Sequence, residues 1–232
     1  MEKDSKSEFM EKYLTPIAVL LGAAIIAVAL IFGSGGKPAS DGKVAPKVNI
    51  KDVSTEGAPF IGNANAPVVM AFWFDYQCPF CKQFEQNVGS QLNENYVKTG
   101  KLKIVFKDFQ FLGEDSTVGG EFGRAMWEAY PDHYYEWLQA MFAAQDDEGD
   151  KGFGDLESIK GITAKISGVD VAKVVALMNQ KKSTYDAMMA ADRAEAQKFG
   201  VNGTPSFIVG TTMTVGSTYE AAAKLIDEQL KK

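Results

Sequence analysis

The chain has 232 residues, 46% of them hydrophobic, 23% charged and 11% aromatic, the balance of a folded protein and not of a disordered or collagen-like one. Twenty-four Lys and Arg stand against 30 Asp and Glu, a net charge of -6 with no basic run, which argues against nucleic acid as a partner. Two cysteines and one histidine are too few for a zinc site of Cys and His ligands, and far too few for a disulfide scaffold.

After a tail of residues 1–13, the uncharged stretch 14–32 covers about 28 Å as a helix, close to the hydrocarbon thickness of a bilayer, and predicts one transmembrane anchor. Leu30, Ile31 and Phe32 continue the apolar run past Ala27-Val28-Ala29, which favours an uncleaved anchor over a cleaved signal peptide. Lysines on both sides leave the orientation undecided by charge, and the short tail favours a signal-anchor. Residues 33–50, rich in Gly, Pro, Ser and Lys, read as a flexible linker, and 51–232 as one globular domain without internal repeats.

In that domain Val68 to Phe74 is a continuous apolar run of strand length, expected at the centre of a sheet covered on both faces. Pro79 then opens a helical pattern to about Lys98, with Phe80, Phe84, Val88, Leu92 and Tyr96 spaced by four. Leu102 to Phe106 predicts a second strand, which completes a βαβ unit. From Ser116 to about Phe199 the pattern is helical, broken at Pro131, around Gly149 to Gly154, at Gly168 and at Gly200, and implies four or five helices. Ser206 to Val209 and Met213 to Val215 read as two short strands, and Ser217 with Glu220 as the capping box of a last helix. The order is a small α/β sheet interrupted by an inserted helical domain.

The chemistry sits in Cys78-Pro79-Phe80-Cys81. Proline suits the first helical position, which makes Cys78 the cap and Cys81 the third residue of the helix. A thiolate at Cys78 would face unpaired N–H groups and the positive end of the helix dipole, so its pKa should fall well below about 8.5. This reading makes Cys78 the exposed, attacking thiolate and Cys81 the more buried thiol that resolves a mixed disulfide. A purely structural bridge closing so short a loop would add only about 2 kcal/mol, and a zinc site lacks its second ligand pair.

Gly203-Thr204-Pro205-Ser206-Phe207 stands just before the third strand, where a proline is tolerated. The apolar strand, the CPFC motif opening a helix, the helical block and GTPSF before a hairpin together resemble the DsbA-type thiol:disulfide oxidoreductases of the thioredoxin superfamily, over roughly residues 52 to 230. The resemblance implies a thioredoxin-like fold with an inserted helical domain, and a Cys78–Cys81 disulfide donated to unfolded or reduced proteins outside the cytoplasm. It implies no cofactor, a cis Thr204–Pro205 peptide across from Cys78, and pairing of the Thr204 backbone with an extended substrate. It further implies tuning of the redox potential by Pro79 and Phe80, and reoxidation by a membrane partner of the DsbB kind or an equivalent. A reductase or isomerase, and a peptide-binding module with a structural disulfide, are the alternatives.

Many relatives carry a buried glutamate six residues before the first cysteine; here that position is Phe72. Asp75, three residues before Cys78, is a candidate partial substitute for that acid, but its plain reading is an exposed turn residue, where its charge would raise the thiolate pKa, with Lys107 as a candidate counter-charge. His133 reads as a surface or capping residue. Trp127, Tyr130, Tyr134, Trp137, Leu138, Met141 and Phe142 read as core. The cluster Asp146, Asp147, Glu148 and Asp150 reads as a solvated loop without calcium-ligand spacing, and the Asn202-Gly203-Thr204 sequon as chance.

Overall fold

The computed structural model describes residues 48–146 and 153–232. The tail, the apolar stretch 14–32, nearly all of the linker and the acidic residues Asp147, Glu148 and Asp150 lie outside them. Among the described residues no helix is long and apolar enough to cross a membrane.

Strand β1 (Phe60–Ile61) is followed by β2 (Val68–Phe74), then by helix α1, which starts at Pro79–Phe84 and continues to Val97. After β3 (Leu102–Asp108) come α2 (Glu114–Ala129), α3 (Tyr134–Ala144), α4 (Leu156–Thr163) and α5 (Val171–Lys198). A hairpin of β4 (Ser206–Val209) and β5 (Thr212–Val215) leads to α6 (Tyr219–Leu230). The sheet order is β1-β3-β2-β4-β5, with β2 parallel to β3 and every other pairing antiparallel.

The run Val68 to Phe74 is apolar throughout because both its faces are covered. Met70, Phe72 and Phe74 enter the main core with α1, α3 and α6, while Ala71 and Trp73 enter a second cluster with Phe199, Val201 and Ile208. Burying each such side chain stabilises the fold by roughly 1.5–3 kcal/mol. Phe72 stacks on Phe74 and Phe84 and meets Phe106 edge-on, so an aromatic cluster fills the position of the missing acid. Tyr134, Trp137, Leu138, Met141 and Phe142 are buried as expected, and His133 lies at the surface against Glu136.

Helix α1 contains two π-helical stretches, Glu85–Gly89 and Asn93–Val97, around Ser90–Leu92. In a straight 3.6-residue helix, side chains spaced by four turn about 40° away at each step. The wider π turns absorb that rotation and keep Phe84, Val88, Leu92 and Tyr96 buried along one side. Phe80, at the first turn, departs from the stripe and is 63% exposed.

Lys107 is not a counter-charge to the cysteines. Its Nζ lies 2.5 Å from Asp192 and 3.0 Å from Glu195, both on α5, and donates to the Ser54 carbonyl. Beside it Arg124 of α2 contacts Asp108 and Asp192, each at 2.5 Å. This buried network pins the end of β3 to the helical insert, and the alternation along β3 turns Lys107 to the Trp73 face of the sheet. The last helix is capped by Thr218, which accepts from the Ala221 N–H, and not by Ser217 as the spacing to Glu220 suggests. Strand β1 was not expected, and α2 starts two residues before Ser116.

Candidate active site

Two elements build the site. Cys78 caps α1 with extended backbone angles, Pro79 occupies the first helical position, and the Cys78 carbonyl accepts from the N–H groups of Cys81 and Lys82. On the neighbouring strand Ser206 stands opposite Trp73, so Thr204 and Pro205 fall level with the loop that follows β2. The Thr204–Pro205 peptide is cis. Cys78 Sγ donates to the Thr204 carbonyl at 3.5 Å, which places the first cysteine against the proline loop.

Both cysteines are free thiols, and both are buried: Cys81 completely, Cys78 to 4% exposure. The exposed Cys78 expected from its cap position is therefore corrected. The exposed side chains at this corner are Pro79 and Phe80, while Cys78 lies against the proline loop.

The two sulfurs differ sharply in acidity. A hydrogen bond from the Cys81 side chain lowers the Cys78 pKa to about 6, against the opposing effect of burial. The Thr204 side chain and the main-chain groups of Cys81 and Phe80 add to the lowering. The helix N–H groups act in the expected direction, but the partner cysteine is the larger influence. Burial and the neighbouring Cys78 push Cys81 well above the ordinary thiol range. At neutral pH the thiolate is therefore favoured at Cys78 and the thiol at Cys81.

A groove of about 400 Å³ runs beside this pair, lined by Phe80, Phe84, Val88, Thr204, Pro205 and Val215. It joins Phe80, Thr204 and Pro205, all expected at the site, to Val215, which sequence reasoning placed in a strand but not in the site. Val215 is 56% exposed at the end of the edge strand β5.

From the opposite side, the helical insert grips the residues before Cys78. Gln145 Nε2 donates to the Tyr76 carbonyl at 2.8 Å, and Gln77 Nε2 donates to the Phe153 carbonyl. Lys82 Nζ donates to the Gln145 carbonyl at 2.6 Å. Gly154 has φ +102, and a Cβ there would lie 1.8 Å from Gln77 Nε2, so glycine is required both by the backbone and by this contact. Asp75 is fully buried, contrary to the exposed turn expected for it.

A thioredoxin sheet carrying a CPFC pair at a helix start, with a cis-proline alongside and a helical insert above, defines a DsbA-type thiol:disulfide oxidoreductase. The chain belongs to the thioredoxin family, whose model, described as thioredoxin, matches residues 54–228. It is 26% identical over 172 residues to a probable disulfide bond formation protein D of Bacillus anthracis, covering 74% of this chain and 78% of that protein. To the disulfide bond formation protein D of Bacillus subtilis it is 24% identical over 181 residues, covering 77% and 79%. Among solved structures, oxidised BdbD of Bacillus subtilis matches with a TM-score of 0.72 at 21% identity, over 81% of this chain and 99% of that one. The thiol-disulfide exchange protein alpha-DsbA2 of Wolbachia pipientis matches with a TM-score of 0.65 at 27% identity, over 74% and 86%.

Proposed function

We propose that this protein is an oxidase that donates a Cys78–Cys81 disulfide to reduced or unfolded proteins outside the cytoplasm, tethered by residues 14–32 and the linker 33–50. The observation that carries the reading is the asymmetry of the pair, one sulfur stable as an anion at neutral pH and the other stable as a thiol.

In the oxidised enzyme a substrate thiolate attacks Cys78 Sγ, since Cys81 is fully enclosed. The Cys78–Cys81 bond breaks, its electron pair leaves on Cys81, and Cys81 takes a proton. A second substrate thiolate then attacks the substrate sulfur of the mixed disulfide. Cys78 leaves as the stabilised thiolate, the substrate has lost two electrons and the enzyme has gained them. The depressed Cys78 pKa favours this outcome, because it lowers the free energy of the reduced, ionised state.

The groove beside Phe80 and Val215 suits apolar side chains of an unfolded chain, and the Thr204 backbone suits its extended main chain. Pro79 and Phe80 complete the first turn of α1 and tune the pair from there. A membrane partner of the DsbB kind, or an equivalent, would draw the two electrons from the reduced enzyme. Reaction classes separate by equilibration with glutathione: a potential at or above about -180 mV supports the oxidase, whereas one near -270 mV means a reductase. Cys78→Ser should abolish disulfide transfer to a reduced, unfolded protein; retained biological activity would point to a binding module.

A further inference from the structure

Asp75 is the first residue beyond β2 and lies three positions before Cys78. Its carboxylate accepts four hydrogen bonds: Oδ1 from the Gln77 N–H at 2.8 Å and Ser116 Oγ at 2.7 Å, Oδ2 from the N–H groups of Phe111 at 2.9 Å and Leu112 at 3.2 Å. Four donors match the lone-pair capacity of a carboxylate. Its main chain serves the cysteines directly. The Asp75 carbonyl accepts from the Cys78 N–H at 3.1 Å, and a main-chain hydrogen bond from Asp75 reaches the Cys81 sulfur. One residue thus joins the redox loop, the loop after β3, the start of α2, the Cys78 main chain and the Cys81 sulfur.

A carboxylate so placed has two opposed influences. Its charge disfavours a nearby thiolate, whereas its hydrogen bonds hold the loop that presents donors to the sulfurs. We propose that Asp75 is the positioning residue of the redox pair, acting through the geometry of these hydrogen bonds and not through its charge. The donors from Gln77, Phe111, Leu112 and Ser116 occupy the carboxylate on both oxygens, and the turn they fix sets where Cys78 and Cys81 lie relative to Thr204.

The proposal rests on the reading of Cys78 as the reactive thiolate, and its test separates the two. The Cys78 pKa is measured in the reduced full-length protein from thiolate absorbance, in wild type, Asp75→Asn and Asp75→Glu, together with the equilibrium against glutathione. Asparagine keeps the shape but removes the charge and turns an N–H₂ towards a donor. Glutamate keeps the charge and displaces the oxygens.

Positioning predicts that both variants raise the Cys78 pKa towards about 8.5 and retain the disulfide about threefold or more over wild type at equilibrium. A lower pKa in Asp75→Asn would mean that charge dominates and would overturn the proposal. So would folded variants with an unmoved pKa and lower stability alone, or the failure of both to fold, each of which marks a structural residue. A wild-type Cys78 titrating near 8.5 would sink the functional reading itself. Variants unmoved from a wild-type value near 6 would sink only the role of Asp75.

Discussion

Tyr135 of α3 donates a hydrogen bond of 2.5 Å to the carboxyl group of Glu85, buried on α1 four residues beyond Cys81. Gly89 makes room for that carboxyl, since a Cβ there would lie 2.4 Å from Glu85 Oε2. The redox helix is thereby joined to the insert through an acid that burial pushes up to about 7, against the lowering effect of the tyrosine.

This acid sets one pH dependence. A carboxyl with a raised folded pKa binds more protons in the folded than in the unfolded state, so stability falls as pH rises from about 4.5 to about 7. Glu85→Gln keeps an acceptor for Tyr135 and removes the charge. The variant should exceed wild type at pH 8 by up to about 3 kcal/mol, and by much less at pH 4.5, in urea unfolding. Equal stability at both pH values would refute the assignment.

Cys78 sets the opposite dependence at higher pH. Its folded pKa is depressed, so the reduced protein should gain stability as pH rises from about 6 towards 9 and lose that gain as pH falls through about 6. Urea unfolding of reduced wild type and reduced Cys78→Ser between pH 6 and 8.5 checks this. The slope of the variant should be shallower than that of wild type.

The buried network predicts a purely structural loss. Asp192→Ala removes one of the two carboxylates from each of Lys107 and Arg124, which keep Glu195 and Asp108, and deprives the Asp108 N–H of its acceptor. Hydrogen bonds to charged groups contribute about 1.5–3 kcal/mol each, so a loss of about 3 kcal/mol is expected. Denaturation should show that loss while the Cys78 pKa stays near 6. A moved pKa would mean that the network reaches the sulfurs.

The groove predicts an effect on substrate alone. Val215→Glu places a charge in the groove that Phe80, Phe84 and Val88 line, while leaving the cysteines untouched. The KM for an unfolded substrate should rise about fivefold or more, which corresponds to roughly 1 kcal/mol of lost contact, with an unchanged redox potential. An unaltered KM would remove the groove from the substrate path.

What was legible in the chain had local causes. Val68 to Phe74 announces a central strand because every residue in it is apolar, and Pro79 announces a helix start with Cys78 as its cap. What was not legible depended on partners distant in sequence. Asp75 looks like a turn residue until Ser116, Phe111 and Leu112 converge on it. Lys107 stands at a strand end as expected, but its carboxylates arrive from α5, 85 and 88 positions further on. Strand β1 has two residues and too little pattern to be seen. Ser217 and Thr218 are adjacent hydroxyls, between which only the backbone geometry chooses the cap.

Gln145 and Phe153 anchor Tyr76 and Gln77 from positions only eight apart in the chain. The insert thus holds the approach to the reactive cysteine at two consecutive residues, so loosening either contact would free that approach without touching a sulfur.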